Sequence, residues 1–167
     1  MVVLKKILDF YINSSLHVAL SAFALVSMTQ YFFGVQGDFS VAFFAFFGTV
    51  VGYNFVKYDA IARLNKTEIK NELKTIVFLS FISLLACFYF FLQLSWMSKI
   101  SAFIFFGLTL LYTLPFFPNK QNARNWKGVK IYIVGITWVG VTVILPLVEA
   151  EIPFSIDVFL MAFQRFL

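Results

Sequence analysis

The sequence predicts an all-α, polytopic transmembrane bundle of about six helices, and three observations predict it. The 167 residues are 61% hydrophobic and 13% charged, with a mean hydropathy of +0.89. Soluble chains are about 45–50% apolar and about 25% charged, so this composition cannot cover a surface facing water. The apolar residues also lie in continuous runs near the ~20-residue length that crosses the hydrocarbon as a helix. Finally, the cations fall in short blocks between those runs.

The runs predict helices over residues 12–33, 40–58, 75–94, 100–117, 131–147 and 154–167, within one domain spanning 1–167. Runs without period-two alternation exclude the strands of a membrane barrel. Gly34-Val-Gln-Gly37-Asp38 punctuates the first two segments as a turn. Leu94–Lys99 joins the third and fourth, with Trp96 suited to an interface. Pro115 and Pro118 stop the fourth, and Pro146 is expected to stop the fifth, because proline lacks the amide donor. The sixth run has 14 residues and ends on Gln164-Arg165-Phe166-Leu167, which reads as a span truncated at the C-terminus.

Eleven of the 13 basic residues fall on one side of this topology. They are Lys5 and Lys6, then Lys57, Arg63, Lys66, Lys70 and Lys74, then Lys120, Arg124, Lys127 and Lys130. The positive-inside rule therefore predicts a multi-pass protein of a bacterial inner membrane, with its N-terminus and basic loops cytoplasmic. A net charge of +5 arranged this way points to membrane lipid or a phosphate-bearing small molecule, and to no nucleic acid. The single cysteine, Cys87, supports neither an internal disulfide nor a multi-thiolate metal site.

Two places carry polar groups where chemistry can occur. The second segment ends Gly52-Tyr53-Asn54-Phe55-Val56-Lys57-Tyr58-Asp59. Asn54 and Tyr58 are four apart and share a helix face, with Lys57 beside them. An amide within a spanning helix usually faces a partner or a cavity. Asp59 and Arg63 are spaced as an ordinary surface ion pair. The second basic loop sets Lys120, Arg124, Lys127 and Lys130 within eleven residues. Arginine's fork and lysine's point charge together can hold a phosphate or diphosphate, although the spacing alone better fits a positive-inside signal that touches headgroups. The phenylalanines of 42–47 and 88–91 would suit an apolar chain-binding cavity. No catalytic serine motif, zinc spacing or glycine-rich nucleotide loop occurs.

With these motifs the chain resembles the first two-thirds of the nine-helix UbiA-type membrane prenyltransferases. The resemblance rests on Tyr53-Asn54-Phe-Val-Lys57-Tyr58-Asp59, on Leu111-Tyr-Thr-Leu-Pro115 before a basic loop, and on Arg124-Asn-Trp-Lys127-Gly128-Val-Lys130-Ile131 before a helix carrying Trp138 and Pro146. It covers roughly residues 10–167. It implies a prenyl diphosphate donor, a lipophilic acceptor, and transfer of the prenyl group between them. It also implies Mg2+ and diphosphate at the cytoplasmic mouth, with Asn54 and Asp59 as metal ligands and Asn54, Lys57, Lys120, Arg124, Lys127 and Lys130 on the diphosphate.

The sequence departs from the family's first acidic motif, NDxxDxxxD. Laid on Asn54, its carboxylate positions are Phe55, Tyr58 and Ala62. Asp59 sits five residues from Asn54, about 140° round a helix. The second acidic motif would follow the sixth segment. The competing reading is a non-catalytic membrane protein that binds lipid or serves as a membrane subunit. A transporter half ranks below both, because the sequence shows neither a broken helix nor an intramembrane carboxylate.

Overall fold

The computed structural model describes residues 2–35, 39–64, 71–113 and 128–167, and the side chains of 4–35, 39–58, 73–113 and 128–167. Among these every regular element is helical: α1 Val2–Asn13, α2 Leu16–Phe32, α3 Ser40–Leu64, α4 Asn71–Gln93, α5 Trp96–Thr113, α6 Val129–Val139, a π-helical turn Gly140–Ile144, α7 Leu145–Glu149 and α8 Ile156–Phe166. Four stretches are long and apolar enough to cross a membrane: Ser40–Tyr58, Leu73–Gln93, Trp96–Thr113 and Val129–Glu149. The bent pair α1–α2 makes a fifth if it is one span.

The first predicted segment differs most from its expectation. Its helix starts at Leu16, and a separate helix, α1, precedes it at an angle of 63°. Ser15 breaks the run with a left-handed backbone (φ 61°), which an L-residue adopts reluctantly. α1 is amphipathic: Leu4, Ile7, Leu8 and Tyr11 share a face by i, i+3, i+4, i+7 spacing, and Lys5, Lys6 and Asp9 lie off it. No broken helix was expected from the sequence; this one lies in the polar cluster Asn13-Ser14-Ser15.

The fifth segment corrects another expectation. Pro146 does not stop the helix, which continues through it to Glu149. The ladder shifts instead. The Leu145 N–H donates to Gly140 O, a five-residue step that makes the turn π-helical. α3 likewise runs past its apolar stretch to Leu64, and α5 begins four residues before the predicted start, at Trp96.

By compactness the chain divides into two units. The first comprises Met1–Ala24 and Ala42–Gln93. Its apolar packing is aromatic: Phe43 and Phe47 of α3 both stack on Phe90 of α4, with centroids 5.2 and 5.9 Å apart, and Phe44 meets Phe91 at 6.0 Å. Gly48 brings the backbone of α3 against Cys87 Sγ of α4. These phenylalanines fill the α3–α4 contact with each other's rings. Other apolar residues of α4, such as Phe78 (65% exposed), Leu85 and Phe88, face outward, as lipid-facing residues do.

The second unit comprises Leu25–Val41 and Leu94–Leu167. Here α5 packs on α6 and α7, and α8 packs on α6 and the π turn. Val143, Leu147 and Val158 form its core, with Phe33, Ile152, Met161 and Ala162 against them. Gly34 closes α2 with φ 71°, so that Val35 N–H reaches Gln30 O at 2.8 Å, the closure expected of a glycine C-cap. Ser155 caps α8 by accepting from Val158 N–H.

Candidate functional site

The aromatic contact fixes the register of α3 on α4, and two turns beyond Phe47 that register puts Asn54 opposite Ser80. Asn54 is buried, 3% exposed, as is Ser83 in the same helix as Ser80. The Asn54 Nδ2 donates to Ser80 Oγ at 2.9 Å, and Ser80 Oγ donates its own proton to Ile76 O at 2.8 Å. Because that proton is spent on α4, Ser80 must accept from Asn54, which fixes the amide orientation. The Asn54 Oδ1 is left buried without a partner among the described residues. A buried acceptor with no donor costs about 1–3 kcal/mol, more than the about 0.5–1.5 kcal/mol that the Ser80 bond contributes.

The next turn of α3 serves α1. Tyr58 Oη donates to Asn13 O at 2.8 Å, and Lys57 Nζ donates to the same oxygen at 3.2 Å. Asn13 is the last residue of α1, so its carbonyl belongs to the four that a helix cannot satisfy internally. A lysine there also meets the negative end of the helix dipole. Lys57 was expected on a diphosphate; in this structure it caps a helix.

The remaining predicted residues divide as follows. Asp59 lies on the helical backbone of α3, but its side chain falls outside the described residues. Lys120, Arg124 and Lys127 also fall outside them. Lys130 is the second residue of α6, exposed, and belongs to the second unit. Asn54 and Lys57 belong to the first.

Magnesium prefers several oxygen ligands, usually carboxylates with water or phosphate. Among the described residues no three His, Cys, Asp or Glu side chains are grouped to hold a metal. Asn54 offers one free oxygen, and the positions one and four residues on are Phe55 and Tyr58. Of the two expected metal ligands only the Asn54 side chain is described, and by itself it does not make a Mg2+ site.

Three features escaped the sequence reading, all in the second unit. Thr29 Oγ1 donates to Thr142 O in the π turn at 2.7 Å. Both Glu149 carboxylate oxygens accept from Ser95 N–H, at 3.0 and 3.1 Å, where α5 begins. Arg165, set aside as part of an unfinished span, lies against α2 with Nη2 3.4 Å from Leu25 O. The missing amide of Pro146 was a signal for the first. An arginine in an apolar run was a signal for the third.

No family model, curated protein sequence or solved structure matches this chain at a significant level.

Proposed function

We propose that this multi-pass membrane protein binds a prenyl diphosphate or a closely similar anionic isoprenoid lipid, in the manner of the UbiA-type prenyltransferases it resembles. The observation that carries the reading is Asn54: a buried amide at the polar end of an apolar span, with an acceptor left unfilled at a cost to stability. In this reading the Asn54 end of α3 faces the cytoplasm. The headgroup sits there and the prenyl chain lies along the apolar spans; of the cations expected on the same phosphate, Lys120, Arg124 and Lys127 lie outside the described residues. Asn54 Oδ1 accepts a hydrogen bond from the headgroup's hydration water.

Transfer of the prenyl group to a lipophilic acceptor is the further step that the resemblance implies. It would need a metal-held diphosphate, and Phe55, Tyr58 and Ala62 stand where the family carries acids. Those three residues favour a second reading, in which the protein holds the lipid without turnover, as a membrane subunit.

One experiment separates the readings. The purified protein in lipid nanodiscs is titrated with farnesyl diphosphate, with and without Mg2+, and diphosphate release is followed with a lipophilic phenol present. Saturable binding that Asn54→Ala weakens tenfold or more supports the proposal, and Mg2+-dependent diphosphate release adds catalysis to it. Absence of binding to farnesyl and geranylgeranyl diphosphate removes it. Cysteines placed at Arg63 and Arg124 must react with an impermeant thiol reagent only after the membrane is opened.

A further inference from the structure

Arg165 is a cation in an apolar unit with no counter-anion among the described residues. It lies near the C-terminal end of α8, and its guanidinium reaches Leu25 O, on the tenth of the 17 residues of α2. If α2 crosses the bilayer, that places the charge near mid-depth, about 13 Å from the start of the helix at 1.5 Å per residue. The contact is long, 3.4 Å. The Nε is buried and has no partner among the described residues. Ionisable groups at such depth are costly and are kept where they bind something.

A pocket of about 390 Å³ opens beside the guanidinium. α2 lines it with Met28, Tyr31 and Phe32, and α8 lines it with Leu160, Met161 and Gln164. Small-molecule sites are of this kind, mostly apolar with a few converging polar groups, at volumes of about 300–1,000 Å³. Asp157 also borders the pocket, but it lies in the first turn of α8. There it meets the positive end of that helix's dipole, two turns and about 12 Å from Arg165.

We propose that this pocket binds a single-chain amphiphile whose anionic headgroup, a carboxylate or a phosphate, pairs with Arg165. The guanidinium fork takes two headgroup oxygens, including a bond from the buried Nε. Gln164 sits beside it as a second donor. The methionines, Phe32 and Leu160 receive the first carbons of the chain, and thioether side chains adapt to its shape. A carboxylate from another protein's helix would satisfy the charge but leave the volume unfilled. The inference is independent of Asn54, which belongs to the other unit.

The test uses the full chain in phosphatidylcholine nanodiscs and three probes of one chain length: oleate, oleoyl lysophosphatidic acid and monooleoylglycerol. Binding is read by native mass spectrometry. The expected result is that one or both anions bind at least tenfold more tightly than the neutral glyceride. The relative affinity of oleate and the lysophosphatidate distinguishes carboxylate from phosphate. Arg165→Gln should bring the anions down to the glyceride's level, and Arg165→Lys should keep part of the preference. Met161→Trp fills the pocket while leaving the arginine, so it should abolish binding even if Arg165→Gln fails to fold. Equal binding of charged and neutral probes overturns the proposal, as does unchanged binding by Arg165→Gln or Met161→Trp. Isolation of the protein with Arg165 cross-linked to a partner's acid, and no anionic probe bound, overturns it too. Farnesyl diphosphate binding that responds to Asn54→Ala but not to Arg165→Gln would show that the two sites stand or fall separately.

Discussion

The Thr29 hydroxyl donates to the carbonyl oxygen of Thr142, 2.7 Å away and 113 residues along the chain. The reason lies four residues beyond Thr142. In an α-helix that carbonyl would accept from the amide of residue 146, which is Pro146 and has none. The ladder slips to a five-residue step over Gly140–Ile144, and a hydroxyl from α2 supplies a donor that the helix lost. In an apolar setting a freed carbonyl has no water to turn to, so such rescue by a neighbouring Ser or Thr is the expected remedy.

Thr29→Val, which keeps the shape and removes the donor, should therefore lower stability by about 1 kcal/mol, the scale of side-chain hydrogen bonds between helices in membranes. Thr29→Ser should recover most of it. In a Pro146→Ala background the amide returns, and Thr29→Val should cost about 0.5 kcal/mol less, a coupling readable in a double-mutant cycle. Equal costs in both backgrounds would mean that Pro146 is not the cause.

This bond shows where legibility in the sequence stops. The apolar runs were legible because spanning length is a one-dimensional property. They located the apolar stretch Ser40–Tyr58 at its residues, and Leu73–Gln93 and Val129–Glu149 to within about two, whereas the sixth run, 154–167, holds the 11-residue helix α8 and is not among the stretches long enough to span. What the runs concealed were breaks and repairs. Ser15 takes a left-handed turn inside what reads as one apolar start, and Pro146 is tolerated because Thr29 lies opposite. Both depend on which helix is the neighbour, and that information is not local. At the candidate site, Asn54 was legible as a polar residue in an oily helix. Its pairing with Ser80, and the use of Lys57 and Tyr58 on Asn13, required the register of α3 against α4 and α1.

Glu149 and Ser95 give a second prediction. In a capping box a glutamate three residues into the helix accepts from the cap residue's amide. Here Ser98 occupies that place, and its N–H donates to Ser95 Oγ at 3.3 Å. Glu149, at the end of α7, supplies the missing carboxylate and places its charge at the positive end of α5. Glu149→Ala should cost about 1–2 kcal/mol, and Glu149→Gln about half as much, because the neutral amide can still accept. Amide exchange at Ser95–Ser98 should quicken in both. Unchanged exchange there would show the carboxylate to be idle.

Gly140 gives a third. A Cβ on this residue would run into the ring of Phe105. The glycine permits that ring to lie directly on the π turn, and Phe105 also borders an apolar groove of about 260 Å³ with Phe163 and Phe166. Gly140→Ala should destabilise the second unit by about 1–3 kcal/mol through overpacking. Phe105→Leu should relieve part of that loss. A thermal midpoint unmoved by Gly140→Ala would indicate that the ring swings into the groove without cost.

The bond from Tyr58 to Asn13 predicts a local effect. Tyr58→Phe removes the 2.8 Å donor from the end of α1 and leaves Lys57 on the same oxygen. Amide exchange in residues 4–13 should rise severalfold in Tyr58→Phe and further in Lys57→Met/Tyr58→Phe, while α4 stays protected. About 0.5–1.5 kcal/mol is at stake for the tyrosine bond. Equal acceleration across α1 and α4 would mean that the whole unit loosens, and that the tyrosine is not a specific latch.

Asn54 yields the prediction that best separates stability from function. Its one described hydrogen bond contributes about 0.5–1.5 kcal/mol, while its buried Oδ1 costs about 1–3 kcal/mol. The balance favours an apolar side chain of similar size. Ser80 strands nothing when the amide is removed, because its hydroxyl still donates to Ile76 O. Asn54→Leu should therefore leave stability unchanged or raise it by up to about 1 kcal/mol, and it should abolish binding of a prenyl diphosphate. A residue that weakens the fold while supporting a ligand is what a binding site contributes and a packing residue does not. Asn54→Leu that instead lowers the thermal midpoint by several degrees would mean that Oδ1 has a donor in the membrane-embedded protein. The amide would then be structural, and the headgroup site would have to be sought elsewhere.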